Sequence, residues 1–414
     1  MLLKNWKNTP YRFILFAVLF MLAIFVVENI NHRFWLNDFR VYYLAAQAMI
    51  NGTKVYDTLF ALGSGYYKYS PFTSLLVLPL SFFSYPVAAV LQFILLVLSI
   101  VGVFVITWRI FSVHVIKEQV GKENFLLSVT FICVINHLIR ELHLGNINVV
   151  LLFLLCLSLL FMLKKKTILA GIMFAIVVMT KPFFVLLFLP LLVNREYKTI
   201  FSSIVSLILF VLNPAILTGF PRNIELHEEW IRTMLQHNAS FPSNNTIENL
   251  VGIYIYQVPD FFKYVVILVV CSLYILFHYS NVKFIKMKPE QEKLRDSNFC
   301  IEWFILIATM PLMFKTDTQH FLLSLPLIMF LVIRMVKLKN YVLIFCFALL
   351  VFMYGGNSSD LLGKAVSSRM DEMGILGMSN LVIIIWAIIA YIKMRKENYD
   401  LIQNEYGNQI SSTK

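Results

Sequence analysis

The stretch ILAGIMFAIVVMTKPFFVLLFLPLLV, residues 168–193, decides how this chain is to be read. It is long enough for one membrane-crossing helix, because about 20 apolar residues span the hydrocarbon core. Lys181-Pro182, however, stands at its middle. A lysine at that depth costs on the order of 2.5–3.5 kcal/mol, and a proline breaks the helix. One span would also put the basic clusters Lys164–Lys166 and Arg195/Lys198 on opposite sides of the membrane. Two short helices joined at Lys181-Pro182 keep both clusters on the cytoplasmic side, although each half is short for a full crossing. The hairpin is therefore expected, with Lys181 on the external side.

Similar apolar runs recur from end to end. The chain is 59% hydrophobic and only 14% charged, against roughly 25% charged residues in soluble domains. This composition predicts an all-α polytopic membrane protein. Spans are expected near 11–28, 86–108, 124–140, 146–163, 168–180, 182–193, 199–218, 261–280, 299–315, 320–337, 340–354 and 377–392. The short apolar segment 71–84, interrupted by Pro79, fits a further span, a re-entrant piece or a surface helix. The total is roughly 11–13 spans. Residues 1–395 read as one membrane domain and 396–414 as a polar cytoplasmic tail.

The net charge of +12 does not point to nucleic acid. Its basic residues sit in short clusters between apolar runs, as at Lys283/Lys286/Lys288/Lys293/Arg295 and Lys393/Arg395/Lys396. That is the signature of cytoplasmic loops, whose clusters can also touch anionic lipid heads. The run Phe13–Val27 follows basic residues but lacks a small-x-small cleavage site, so it reads as a retained anchor. Cys133, Cys156, Cys271, Cys300 and Cys346 show no paired spacing, which points to neither disulfides nor a thiolate metal site.

With both termini in the cytoplasm of a plasma-membrane protein, the external side receives 29–70, 141–146, Lys181, the large loop 219–260, 316–320 and 355–376. The unusual polar residues converge on that side. In the first loop, Phe39, Tyr42, Tyr43, Ala46, Met49 and Ile50 recur at helical spacing, predicting an amphipathic juxtamembrane helix stopped by Asn51-Gly52. Asp38 stands at its start. A carboxylate there can take a proton from a hydroxyl where water is scarce, or simply cap the helix. Asn146 and Asn148 can hydrogen-bond sugar hydroxyls or cap the following helix. Lys181 can neutralise a lipid phosphate or snorkel to the headgroups. His320, in Asp317-Thr318-Gln319-His320, can donate to a phosphate, orient a carboxylate or belong to a polar helix end. His227, Glu228 and His237 have no zinc-ligand spacing. No metal or cofactor is expected, beyond room for a weakly held Mg²⁺.

Asp38 with Tyr42-Tyr43 and Gly52-x-x-x-Tyr56, Tyr69-Ser70-Pro71, Gly145-Asn146-x-Asn148, Lys181-Pro182, Ser243-Asn244-Asn245-Thr246 and Asp317-Thr318-Gln319-His320 occur in that order. The series resembles glycosyltransferase family 87, which includes polyprenyl-phosphate-mannose-dependent α-mannosyltransferases of the GT-C superfamily. The likeness runs from about residue 15 to 395. It implies a GT-C fold, with Asp38 as the base that deprotonates an acceptor hydroxyl and Lys181 and His320 at the donor phosphate. Sugar and acceptor contacts are expected from Tyr42, Tyr43, Tyr69, Asn146, Asn148, Asn244, Asn245 and Gln319. The chain departs from its relatives at Asn244-Asn245, where they usually read Ser-Asn-Gln-Ser, and at Gly145-Asn146, where they usually read Gly-Gln. The expected activity is transfer of a hexose, mannose by this resemblance, from a polyprenyl phosphate to a glycolipid or cell-envelope glycan. The rival from another class is a secondary transporter, or a flippase or polymerase for lipid-linked saccharides. A transporter predicts internal repeats of broken helices, and the Lys181-Pro182 break has no counterpart in the other half.

Overall fold

The computed structural model describes residues 10–412 except 64, 117–121, 241–243, 257, 260 and 287–290. The uncharged run after Arg12 forms α1 (Tyr11–Ile30), which buries only Phe13, Ala17 and Met21, one row at helical spacing. The amphipathic pattern of the next segment becomes α2 (Asn37–Ile50), capped at Asn51, with Gly52 at φ +66°. A short antiparallel hairpin follows, β1 (Leu59–Ala61) and β2 (Gly65–Tyr66), which the helical reading did not anticipate. Residues 71–84 yield only α3 (Pro71–Ser81). It opens where the Ser70 hydroxyl accepts from the Thr73 N–H at 3.3 Å, with Pro71 pre-set at the first position.

Next come α4 (Tyr85–Ile110), continued by a π-helical turn, and α5 (Glu123–Cys133) and α6 (Ile135–Leu144). The expected span 124–140 is not straight, since α5 and α6 meet at 66°. Asn136, His137, Arg140, Glu141 and His143 crowd the second half, where polar side chains are costly in lipid. Then follow α7 (Asn148–Leu163), α8 (Thr167–Thr180), a 3-10 segment (Pro182–Leu187), α9 (Phe188–Val193), α10 (Tyr197–Leu212) and α11 (Ala215–Thr218). The break at Lys181-Pro182 is present, with Lys181 in extended conformation as a residue before proline must be. The stretch 219–260 is mostly helical rather than a loop, giving α12 (Phe220–Ser240) and α13 (Ile247–Tyr254). The remaining helices are α14 (Phe262–Lys286), α15 (Gln291–Met313), α16 (Leu325–Leu338) after a 3-10 segment (Thr318–Ser324), α17 (Tyr341–Gly355), α18 (Ser359–Leu362), α19 (Lys364–Glu372) and α20 (Ile375–Ser412). The expected tail from 396 continues α20 as helix.

Among the described residues six helices are long and apolar enough to cross a membrane, seven if the bent α5–α6 pair counts as one. Five shorter apolar helices accompany them, including both halves of the 168–193 stretch. The chain is a polytopic all-α membrane protein consistent with the GT-C type of fold. Its core explains the division of labour. From Leu325 to Met335 every residue of α16 is buried, and α15 and α20 pack against it. Leu15, Leu19, Phe201, Ile208, Leu268 and Leu276 instead stand exposed on α1, α10 and α14. Each such side chain left in water forfeits about 1.5–3 kcal/mol, so these rows face lipid.

Gly145 shows how closely the pieces fit. It ends α6 in the left-handed region, φ +68°, and a Cβ there would lie 2.8 Å from Leu36 Cβ and 2.9 Å from Phe39 Cβ. Gly145→Ala should therefore push α2 from α6 and lower stability by about 1–3 kcal/mol. Gly52→Ala shares the positive φ but has nothing within 4 Å of its added Cβ. Thermal unfolding in detergent should show the larger loss for Gly145, and equal losses would refute this close packing.

Candidate active site

The approach of α2 to the α6–α7 turn brings two of the expected residues together first. Asp38 lies in the first turn of α2, and its Oδ2 accepts from Asn146 Nδ2 at 2.6 Å. Asn146 turns its own Oδ1 to the Ile147 N–H at 2.7 Å, so the amide is fixed at both ends. Two residues on, at the start of α7, Asn148 Oδ1 accepts from the Lys181 ammonium. One short segment thus holds a carboxylate and a cation.

Lys181 is only 6% exposed. Burying an ammonium costs several kcal/mol unless partners replace its water. Besides Asn148, it meets His320 Nε2, and it lies 5.7 Å from the centre of the Tyr69 ring. An ammonium only donates, so Nε2 accepts and the ring proton sits on Nδ1, which donates to the Asp317 carbonyl at 3.2 Å. Gln319 Nε2 donates to Asp317 Oδ2 at 3.4 Å, which places Gln319 at the edge of the same cluster.

The wall of the site comes from the first loop. The Tyr42 and Tyr69 hydroxyls meet at 3.2 Å, and the rings pack edge to face. Tyr56 donates to the Tyr69 carbonyl at 2.9 Å, and Tyr67 to that of Ser70 at 3.1 Å. Trp230 from α12 donates to the Lys68 carbonyl at 3.2 Å. Thr73 donates to Thr180 at 3.4 Å, anchoring this segment beside the Lys181 break. Burial raises both the Tyr42 and the Tyr69 phenol, so these hydroxyls stay protonated donors.

Burial also pushes the Asp38 carboxyl above its usual range, and the Asp317 charge pushes the same way. The Asn146 hydrogen bond and the Lys181 and Lys68 charges oppose that shift. The Lys68 ammonium is lowered by burial, against the pull of Asp317 and Asp38. The arrangement can hold a half-buried base beside a buried cation, with tyrosine and amide groups between them.

Other expected residues make their hydrogen bonds outside this cluster. Tyr43 donates to the Phe83 carbonyl at 2.8 Å and ties α2 to the α3–α4 turn. Asn244 donates to the Asp371 carbonyl at 3.1 Å, and Asn245 accepts from the Gly377 N–H at 3.0 Å, so both hold the α19–α20 turn. Ser243 and the side chain of His237 lie outside the described residues. Sequence reasoning missed Glu141, fully buried, which accepts from Asn148 Nδ2 at 3.0 Å and from the Val149 N–H at 2.8 Å. An acid at the end of an apolar run was the available signal. Lys68, between two tyrosines, and Asp317 were also passed over as site residues. Among the described residues no three His, Cys, Asp or Glu side chains cluster as a metal site would need.

Lipid-facing helices around a buried charged cluster define a multi-pass membrane protein with an enclosed polar site. Residues 67–287, more than half of the chain, match the model of "Glycosyltransferase family 87", and the chain belongs to that family. Asn146, Asn148 and Lys181 fall inside that match; Asp38 and His320 fall outside it. An alpha-(1->3)-arabinofuranosyltransferase of Corynebacterium glutamicum is 30% identical over 196 residues, 47% of this chain and 45% of that protein. The chain therefore spans about half the length of the curated relative it matches.

The raised Asp38 pKa has a stability consequence with a definite sign. In the unfolded chain the carboxyl ionises near pH 3.9, whereas the folded protein resists that ionisation. Asp38 therefore destabilises the fold above its unfolded pKa, and below it the penalty is absent. Asp38→Asn should raise the Tm at pH 7, with the gain shrinking as pH falls towards about 4. A variant less stable than the parent at pH 7 would contradict the burial argument.

Proposed function

We propose that this protein is a membrane glycosyltransferase that moves a sugar from a polyprenyl phosphate to a hydroxyl of a glycolipid or cell-envelope glycan. Asp38 takes the acceptor proton, and the freed oxygen attacks the anomeric carbon. The bond from that carbon to the phosphate oxygen breaks, and the lipid phosphate leaves with its charge met by Lys181. His320 serves the phosphate through Lys181, whose ammonium its Nε2 accepts from. One displacement inverts the anomeric centre. The observation that supports this reading most is that Asn146 and Asn148 bind Asp38 and Lys181 two residues apart.

Tyr42, Tyr69 and Gln319 are the proposed sugar and acceptor contacts. Neither a glycine-rich phosphate cradle nor an Asp-x-Asp pair occurs in the sequence, which disfavours a nucleotide-sugar donor. A lipid donor can enter sideways from the bilayer. By the family resemblance the sugar is a hexose, mannose in the first place. A second reading replaces it with arabinofuranose, because the curated relative carries that name. The site is proposed to face outward from the plasma membrane, with both termini of this chain in the cytoplasm and residues 1–395 acting as one domain.

Purified protein supplied with polyprenyl-phosphate mannose and, separately, polyprenyl-phosphate arabinofuranose should yield glycosylated lipid, detected by mass spectrometry. Asp38→Asn should reduce turnover about 10²–10⁴-fold. Asp57→Asn should be tolerated, since Asp57 pairs with Lys54 at 3.4 Å on the exposed surface. Transfer from soluble nucleotide sugars alone would sink the proposal.

The orientation has its own test. In a background without native cysteines, Lys165→Cys and Lys198→Cys should both resist an impermeant external thiol reagent in intact cells. Labelling of one position and not the other would show that residues 168–193 cross the membrane once.

A further inference from the structure

Glu141 has no part in the displacement above, yet it sits fully buried at the root of the hydrogen-bond chain that ends on Lys181. Its carboxylate accepts the Val149 N–H at the start of α7 and the Asn148 side-chain amide. Each of its two oxygens thus faces a donor, Oε1 the Val149 N–H and Oε2 the Asn148 NH₂. The carboxylate therefore forces the NH₂ of Asn148 to face inward and the Oδ1 to face Lys181. With the amide reversed, two donors would confront each other across a buried contact, which forfeits a hydrogen bond and strands polar atoms.

We infer that Glu141 is a positioning residue for the donor phosphate: by fixing the Asn148 amide it aims the Lys181 ammonium. The inference deepens the proposed transferase reading and rests on its assignment of Lys181 to a lipid phosphate. Asn148 Oδ1 and His320 Nε2 take two of the three ammonium protons. Among the described residues these are its two hydrogen-bond partners, which leaves the third proton for a ligand. Capping of α7 alone would need only the bond to Val149, whereas steering Lys181 needs the bond to Asn148.

Glu141→Gln separates these roles. The glutamine Oε1 can still accept from the Val149 N–H, so the cap survives. Its NH₂ now faces Asn148 and favours the reversed amide, with donors turned towards Lys181. The double change Glu141→Gln with Asn148→Asp restores an acceptor opposite both groups and conserves the net charge. The first measurement is binding of undecaprenyl phosphate, which carries no sugar, to the detergent-solubilised full-length protein. Glu141→Gln should weaken binding about tenfold or more, and the double variant should return to within about threefold of the parent. In the transfer assay Glu141→Gln should raise the KM for the donor while the KM for the acceptor stays put.

Normal lipid-phosphate binding by Glu141→Gln would overturn the inference and leave Glu141 as a cap. Weak binding that the double variant fails to restore would overturn it too, as would a parent protein that does not bind the lipid phosphate at all. Binding that follows the expected pattern in a protein that transfers no sugar would uphold the positioning role and remove the transferase reading instead.

Discussion

A lysine ammonium buried among apolar helices must be given partners, and much of the site's arrangement follows from that requirement. Lys181 loses most of its water by standing between α8 and the 3-10 segment at Pro182. Replacing that water takes Asn148 from α7 and His320 from the segment before α16. Those partners need holding in turn, by Glu141 and by the Asp317 carbonyl. The cation thus draws elements far apart in sequence to one point. Without it, Asn148, Glu141 and His320 would be costly polar groups in an apolar bundle.

Elsewhere the bundle holds a buried carboxylate with no sign of a site. Glu302 is fully buried and accepts from Asn281 Nδ2 at 2.7 Å, His278 Nδ1 at 3.0 Å and both Tyr274 OH and Asn194 Nδ2 at 3.3 Å. Four donors close around it and join α9, α14 and α15, which is how a polar group locks helices. Asp38 is the opposite case. It is half-buried, bonded through one oxygen to Asn146, and carries a carboxyl made reluctant to ionise. The residue two before it, Leu36, adopts φ +44°, a strained conformation for a side chain of that size. Its own burial and the Tyr85 hydroxyl on its carbonyl at 3.2 Å hold it there. The oxygen left over and the strained backbone beside the charge set Asp38 apart from the Glu302 lock.

The sequence made the helical bundle legible because lipid demands long apolar runs, and the runs are in the chain. It also showed α2 with its stop at Asn51-Gly52 and the break at Lys181-Pro182, since turn and proline chemistry act locally. The hairpin 59–66 was not legible: its strands are two and three residues long, too short for any alternation to register. The helices within 219–260 were hidden for a different reason, as α12 is polar along much of its length and resembles a loop in hydropathy. At the site, Asp38, Lys181 and His320 stood out as charges or rings beside apolar runs. Which of the polar candidates share a space depends on packing between distant segments. Tyr42 and Tyr43 are adjacent in sequence, yet one faces Tyr69 and the other the Phe83 carbonyl. Asn244 and Asn245 read as sugar contacts in the sequence, and in the fold their side chains fasten the α19–α20 turn.

The site also occupies the place where the backbone is least regular. Gly145 ends α6, Lys181 ends α8, Ser70 begins α3 and Asp317 precedes a 3-10 segment, and residues at or beside each of these breaks carry the cluster. In lipid, broken helices expose N–H and C=O groups that cost several kcal/mol apiece, so they persist only inside protein or against water. Here they are gathered together and paired with side chains: Gln92 donates to the Gly145 carbonyl at 3.2 Å, and Tyr67 to the Ser70 carbonyl at 3.1 Å. A continuous helix could not present Asn146, Asn148, Lys181 and His320 to a common point, because its side chains project outward at fixed intervals from one axis. Breaking several helices at the same level lets their ends, rather than their flanks, converge. The cost of that irregular backbone is borne by the buried helices α15 and α16 packed behind it, whose apolar surfaces keep the converging ends in register.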